Sequence, residues 1–317
     1  MTNKMKNRKK ISRCEGLDVF PNLSSVILLL LLSYTNPVKS AVAMALKERL
    51  LVTRNVETIL GWPSDTFSVD FRAADDTGRG QDLRNFPHTV LVFIPGNPGL
   101  VEWYLPMFVQ LVERLGPGFA ARGVSNAGHS TKSDSAVNVE QWKDSPDRDI
   151  SIPWTVDGQV YHKCAYMDTV VHELNALEKQ WGFPESAESP RFIFVSHSIG
   201  VHFTQRLCIL RPSILARTRL LINLMPFTRM KAPRSKQRLL DFVAANPEQT
   251  IRVHQGLMQI LQQMPFQWVD LLMQGTMKDK DGRKLAVELV RQPAFARNFF
   301  SLGLEEIRDV PEEFDVS

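Results

Sequence analysis

Between residues 46 and 225 the chain alternates short apolar runs with longer amphipathic segments. The stretches RLLVTR (49–54) and TFSVDF (66–71) flank the turn-rich sequence GWPS (61–64) and predict a hairpin. Apolar runs bounded by glycine or proline predict buried strands at His88–Ile94, Phe119–Val124, Arg191–Ser196 and Thr218–Met225. Helical spacing predicts helices at Val101–Leu115, Gln159–Trp181 and Gly200–Leu210. This alternation is typical of an α/β fold, a mostly parallel sheet with helices on both faces.

The pattern changes after residue 226. From there to residue 310 the chain shows helical periodicity and no run that reads as a buried strand, with breakers at Pro233, Pro247, Pro265 and Pro293. We therefore divide the chain into a leader at 1–45, an α/β core at 46–225 and a helical lid region at 226–317.

Composition and charge limit the classes of function that the chain can have. The hydrophobic fraction of 44% and the charged fraction of 23% are those of a folded globular protein. The net charge is +4, and much of the excess lies in the first thirteen residues, so a nucleic-acid partner has little support. Cys14, Cys164 and Cys208 lack the close spacing of a disulfide framework or a zinc site. We expect no metal and no cofactor.

The leader combines a basic stretch, a short apolar block at 26–32 and small residues around Ser40 and Ala45. These features fit a signal peptide or a signal anchor, and a transit-type leader or an extension before Met44 are the alternatives.

A reactive serine is predicted at the turn Ser196-His197-Ser198-Ile199-Gly200, which joins a buried strand to a helix. A nucleophile elbow needs this context, with small residues two before and two after the serine, here Ser196 and Gly200. Ser198 would be the nucleophile, and the backbone N–H of Ile199 would bind an oxyanion with help from the helix dipole. The alternative is an ordinary turn in which Ser196 or Ser198 caps the helix.

A second oxyanion donor is predicted in the loop Gly96-Asn97-Pro98-Gly99, which follows the third strand. A glycine-rich loop at this point supplies that donor in elbow-bearing sheets, which makes Gly96 and Asn97 the candidates. An ordinary proline and glycine turn is the alternative.

Four motifs, FIPGNPG (93–99), NAGHS (126–130), DGQVYHK (157–163) and SHSIG (196–200), occur in an order and spacing that resemble the lipid-droplet-associated hydrolase family of α/β-hydrolases. The resemblance runs from Val90 to Ser317 and rests beyond Met225 on lid-like character alone. It implies an α/β-hydrolase fold with a helical lid and a serine ester hydrolase with Ser198 as nucleophile. It also implies lipid droplets and the endoplasmic reticulum as the location, and sterol or other neutral-lipid esters as substrates.

The acid and base of a triad should follow Ser198 in the chain, acid first. Only His202 and His254 follow it, and neither ends a predicted strand. A trio of Ser198, Asp241 and His254 can be written, but its later members fall in the lid. His202 is expected to pack or cap, and His129 of NAGHS to be structural. The resemblance implies that the final strands, with the acid and histidine, are missing, so we expect little hydrolase activity from this chain as written.

The segment at 256–275 is rich in Met, Leu, Phe and Trp and carries a single charge, Asp270. Such a surface could enter a lipid interface, although a lid helix packed on its own domain is the alternative. Basic residues at 229–238 could meet lipid phosphates or form a solvated face. A noncatalytic lipid-surface or scaffold protein, or another α/β-hydrolase chemistry at the same elbow, are the alternative functions.

Overall fold

The structure is a computed structural model, and it describes residues 50–71, 86–130, 155–182, 190–226, 241–242, 245–275, 277–291 and 295–309. The predicted leader, the polar stretches at 72–85 and 131–152, and the basic residues at 229–238 lie outside these residues. No helix within the described ranges is both long enough and apolar enough to cross a membrane. The division into leader, core and lid stays a prediction.

A six-stranded sheet forms the centre of the fold, with the order β1-β2-β4-β3-β5-β6. Its strands are β1 (Leu50–Ile59), β2 (Trp62–Phe71), β3 (Thr89–Ile94), β4 (Phe119–Val124), β5 (Arg191–His197) and β6 (Thr218–Leu224). The pairs β1–β2 and β2–β4 are antiparallel, whereas β4–β3, β3–β5 and β5–β6 are parallel. The four later strands therefore end at one edge of the sheet, where the loops that follow them meet.

The β1–β2 hairpin is tighter than predicted. Leu60 and Gly61 form its turn, with φ of 50° and 80°, and Ile59 pairs directly with Trp62. A two-residue turn of type I′ has positive φ at both positions, and this geometry matches the twist of the strands. The prediction of a turn at 61–64 was wrong beyond Gly61, because Trp62 buries its ring and continues into β2.

Within the ranges that the structure describes, the sheet region contains four α-helices: α1 (Leu105–Leu115), α2 (Val156–Gln180), α3 (Gly200–Leu210) and α4 (Pro212–Arg217). A 3-10 turn at Val101–Trp103 precedes α1. The helix α2 starts earlier than predicted, because the Thr155 hydroxyl accepts the Gly158 N–H at 2.9 Å and caps it. The short helix α4 was not predicted from the sequence.

Both faces of the central strands are covered, which explains why β3 is buried along its whole length. On one face α2 and α3 pack on the sheet, with Met167 and Phe203 against Phe194. On the other face α1 packs through Phe108 and Val112. This confirms the predicted fold class, a mostly parallel sheet between layers of helices.

Among the described residues after β6, four helices are defined: α5 (Pro247–Gln263), α6 (Phe266–Met273), α7 (Lys280–Val290) and α8 (Phe295–Asp309). No strand follows Leu224 in the described part of the chain, and β6 is an outer strand of the described sheet. The helix α8 packs against α5 and also reaches α2. It thereby comes to lie beside the loops at the carboxyl edge of the sheet.

Candidate active site

Ser198 lies in the turn between β5 and α3, with a φ of 52°. This left-handed conformation is costly for a residue with a side chain, and it persists only where the surroundings impose it. Its N–H donates to the Leu224 carbonyl at 3.0 Å, which ties the turn to the end of β6. A Cβ at Gly200 would collide with the carbonyls of Ile94 and Pro95, so the residue two after the serine has to be glycine.

Neither serine of the turn caps α3, which rules out the capping alternative. Ile199 occupies the position before the first helical residue, and no side chain caps the helix there. The Ser196 hydroxyl instead hydrogen-bonds the Thr204 hydroxyl at 2.6 Å, and Thr204 donates to the Gly200 carbonyl at 2.9 Å. The hydroxyl of Ser196 is therefore paired within the core, whereas Ser198 is the residue of this turn with the left-handed backbone.

The Gly96 loop lies directly beside this turn. A Cβ built on Gly96 would be 2.8 Å from the Ser198 Cβ and 3.1 Å from His197 Nδ1, so a side chain there would strike the turn. Asn126 holds the loop from below, because its Nδ2 donates to the Gly96 carbonyl at 2.8 Å and its N–H to the Gly99 carbonyl at 2.9 Å. The two sequence motifs that were predicted to form one site are thus brought together.

His197, the residue before Ser198, contacts Tyr104. Its Nδ1 hydrogen-bonds the Tyr104 hydroxyl at 3.2 Å, and both side chains are half-buried. Burial lowers the pKa of His197 and raises the pKa of Tyr104. Both rings therefore favour their neutral forms beside the candidate nucleophile.

The structure does not assemble the trio of Ser198, Asp241 and His254. In the described residues no hydrogen bond joins the Ser198 hydroxyl to a histidine or a carboxylate. Nδ1 of His254 lies 2.7 Å from the Thr250 carbonyl, and its ring centroid lies 3.8 Å from that of Phe300. Asp241 is exposed, and His202 is buried in α3 with a pKa lowered by burial. The residues described here also include no group of three or more side chains suited to hold a metal ion.

A core polar cluster of Ser64, Ser125, His162 and Lys163 supports the loop after β4, and sequence reasoning missed it. Lys163 Nζ donates to the Ser125 carbonyl at 2.7 Å and lies 3.3 Å from His162 Nδ1. His162 Nε2 is 2.7 Å from the Ser64 hydroxyl, which in turn donates to the Trp62 carbonyl at 3.3 Å. The proton of His162 is therefore on Nε2, and Nδ1 accepts from Lys163.

Burial shapes the titration of this cluster. Desolvation lowers the pKa of His162 and of Lys163 well below their ordinary values, and the charge of Lys163 lowers that of His162 further. His129, in the same motif as Asn126, is wholly buried with Nδ1 2.5 Å from the Pro98 carbonyl, and its pKa falls to about 4. The hydrogen bonds of Lys163 and His129 hold the backbone at Ser125 and Pro98 in place.

A second set of contacts, which we call the α8 interface, joins α8 to the same loops through Asn97, Asn298, Phe299 and Glu306. Asn97 Nδ2 donates to the Phe299 carbonyl at 3.0 Å, and Asn298 Nδ2 donates to the Gly128 carbonyl at 2.6 Å. Glu306 is 8% exposed, and burial raises its pKa to about 8 although the Asn97 amide favours the ionised form. No local sequence signal predicts these contacts, since their partners lie far apart in the chain.

Taken together, the strand order, the strained serine between β5 and α3, and the adjoining loop after β3 define an α/β-hydrolase fold. The model of the lipid-droplet associated hydrolase family matches residues 87–316, more than two thirds of the chain. The chain belongs to the lipid-droplet associated hydrolase family, as the four motifs predicted.

Individual relatives agree with this assignment. The chain is 26% identical over 118 residues to lipid droplet-associated hydrolase of Homo sapiens, and 27% identical over 123 residues to that of Gallus gallus. These matches cover 37% and 39% of this chain but only 32% of each relative, so the chain spans about a third of their length. A solved haloalkane dehalogenase, DatA from Agrobacterium tumefaciens C58, aligns with a TM-score of 0.47 and 16% identity, covering 82% of this chain and 68% of that chain.

Proposed function

We propose that this protein is a serine ester hydrolase whose nucleophile is Ser198. One observation carries the proposal: Ser198 holds a left-handed backbone in the β5–α3 turn, directly beside Gly96. Strain of this kind at a serine between a strand and a helix is the signature of a nucleophile elbow. The neighbouring loop provides the main-chain amides that an acyl-transfer site needs.

In the proposed reaction the Ser198 hydroxyl adds to the ester carbonyl, and its proton passes to a base that the described contacts do not identify. The negative charge on the carbonyl oxygen is stabilised by the N–H of Ile199 and by an amide of the Gly96 loop, from Gly96 or Asn97. The start of α3 adds its positive dipole end. Collapse releases the alcohol and leaves an acyl-serine, which water then cleaves to the free acid.

The proposed substrates are lipid esters, of sterols or other neutral lipids, at the surface of lipid droplets and the endoplasmic reticulum. The family name and the names of the relatives support a droplet location. The exposed face of α5 and α6 supports contact with lipid, and we call it the apolar stripe. Its members are more than half exposed, namely Val253, Leu257, Ile260, Trp268, Leu271 and Leu272. An apolar face of this kind suits the boundary between headgroups and acyl chains.

A noncatalytic lipid-surface or scaffold protein is the second candidate. The observation in its favour is that Ser198 has no histidine or carboxylate partner among the described residues. Such a protein would keep the sheet and the apolar stripe and would bind lipid without turnover.

Labelling with a fluorophosphonate tests the nucleophile. We expect the full-length protein to gain one phosphonyl group on Ser198, read by intact mass and peptide mapping, because a nucleophile elbow makes its serine hydroxyl accessible. Ser198→Ala should not be labelled. The matched control is Ser196→Ala, which removes a serine of the same turn that is committed to Thr204 and should leave labelling unchanged. Absence of a label on the folded protein would favour the scaffold function.

Flotation with triolein droplets coated with phosphatidylcholine tests the surface. Replacing Trp268 and Leu271 by serine should strongly reduce flotation, whereas Ile209→Ser on α3, an equally exposed apolar position outside the stripe, should not. Equal flotation of both variants would contradict the proposed contact. Because Ser198→Ala should float like the unaltered protein, binding and catalysis are tested separately.

A further inference from the structure

The α8 interface combines three contacts to separate parts of the core. Asn97 reaches the Phe299 carbonyl, Asn298 reaches Gly128, and the Val156 N–H at the start of α2 donates to Glu305 Oε2 at 2.7 Å. A Cβ on Gly303 would lie only 3.4 Å from Asn97 Nδ2, so α8 approaches the Gly96 loop closely along its length. The helix therefore fixes the loop that the proposed reaction uses.

Two oxygens of this interface lack hydrogen-bond partners. Oδ1 of Asn97 and Oε1 of Glu306 are both buried, and neither has a partner in the described residues. An amide oxygen and an ionised carboxylate oxygen are both acceptors, so they cannot pair with each other, and each buried oxygen costs free energy while unpaired. A proton on Glu306 changes this balance, because it removes a buried charge and turns the carboxyl group into a donor.

We propose that Glu306 is a positioning residue whose protonated side chain keeps α8 docked on Asn97. Because this proton is released when α8 undocks, a rise in pH favours the undocked state and weakens the hold of α8 on the Gly96 loop. The inference rests on the proposed function for its catalytic consequence, since it assigns Asn97 to the oxyanion site. The docking itself is a property of the fold and is tested independently of turnover.

The surroundings of Glu306 support a pH dependence of α8 docking that comes from this one carboxyl group. Burial is the main cause of its raised pKa, of about 8, and no charged side chain of the described chain contributes to it. Titratable groups on α8 and on the segments packed against it include Glu305 on α8, His129 beside Gly128, and His254 on α5. With its pKa lowered to about 4, His129 stays neutral through the relevant range.

The direction of the pH effect follows from linkage. Glu306 binds its proton more tightly when α8 is docked than when the side chain is in water, where the pKa of a glutamate is about 4.3. Docking must therefore weaken as pH rises from that value to about 8, and it should be constant above about 8, where both states are ionised.

Hydrogen exchange of α8 in the full-length protein tests the proposal. After correction for intrinsic rates, protection of the α8 amides should fall at least about tenfold between pH 5.5 and 7.5, since each pH unit in the window is worth a factor of ten. Glu306→Gln, which is neutral at every pH, should abolish this fall. The matched control Glu305→Gln removes the neighbouring carboxylate and should retain it.

Phosphonylation of Ser198 provides the catalytic readout. The labelling rate of the unaltered protein relative to that of Glu306→Gln should decline over the same pH range. A pH-dependent protection that Glu306→Gln retains would overturn the inference, and so would protection that is constant with pH in the unaltered protein. If Ser198 is never labelled, the proposed function fails, and the exchange result still decides the role of Glu306.

Discussion

The core polar cluster and the α8 interface both support loops around Ser198, but they differ in how completely their polar groups are paired. In the cluster, Lys163, His162 and Ser64 form one continuous series of hydrogen bonds that ends on backbone carbonyls. In the interface, Asn97 Oδ1 and Glu306 Oε1 are buried without partners in the described residues. A fully paired network makes its backbone rigid, whereas a half-paired one leaves free energy that protonation can release.

The two sites also respond to pH in opposite directions. The depressed pKa values of His162 and Lys163 mean that the unfolded chain binds more protons than the folded one, so this contribution to stability is lost as pH falls. The raised pKa of Glu306 means that the folded chain binds more protons, so its contribution is lost as pH rises towards about 8. The core is thus sensitive to acid and the interface to base.

The largest effect should come from breaking the cluster at Lys163. Lys163→Met keeps the aliphatic volume but leaves the Ser125 carbonyl and His162 Nδ1 without their donor. Each buried unpaired group costs roughly 1–3 kcal/mol, partly offset because an amine no longer has to be buried, so we expect a loss of about 3 kcal/mol in the free energy of unfolding. Urea denaturation at neutral pH measures this loss.

Lys179→Met is the matched control for that change, since Lys179 lies on the same helix, α2, with an exposed side chain. Its effect should stay within about 0.5 kcal/mol. Equal effects of the two substitutions would show that the cluster does not hold the loop as described.

Much of the fold follows from the sequence because it depends on local patterns. The apolar run that became β3 is buried on both faces, and the glycine-bounded runs at Phe119–Val124 and Gly200–Leu210 match an observed strand and helix residue for residue. The start of α2 was placed too late, although Thr155 with Gly158 three residues on is a readable capping signal. The tight turn at Leu60-Gly61 was misplaced because the turn-rich sequence at 61–64 was taken as the turn, whereas Pro63 lies early in β2.

The candidate site could be predicted only in part. Ser198 and Gly96 carry local motifs, and the sheet brings them together because β3 and β5 are neighbours. The roles of Asn97, Asn298 and Glu306 depend on contacts between residues far apart in the chain, which no periodicity encodes. Lys163 lies within the motif at 157–163, but its charge alone predicts a surface position, and only the packing of α2 shows that it is buried.

A smaller effect should come from removing the pH response of the α8 interface. Relative to Glu306→Gln, the unaltered protein should lose roughly 2 kcal/mol of unfolding free energy between pH 5.5 and pH 7.5, because each pH unit between the two pKa values is worth about 1.4 kcal/mol. Urea titrations at a series of pH values check the sign. If the difference in unfolding free energy between the unaltered protein and Glu306→Gln instead grows as pH falls, Glu306 is ionised in the folded protein.

The smallest loss of unfolding free energy should come from Ser64, which lies at the opposite end of the core polar cluster from Lys163. Ser64→Ala removes the acceptor of the His162 Nε2 proton and leaves the Lys163 bonds in place. One buried donor then lacks a partner, so we expect a loss of about 1–2 kcal/mol, measured by thermal or urea unfolding. Ser68→Ala, a half-buried serine on the same strand, should cost less than about 0.5 kcal/mol. If Ser64→Ala costs as much as Lys163→Met, the bonds act as one unit and the cluster is cooperative. If it costs no more than Ser68→Ala, His162 has turned to another acceptor, and the cluster is less rigid than its completed hydrogen bonds indicate.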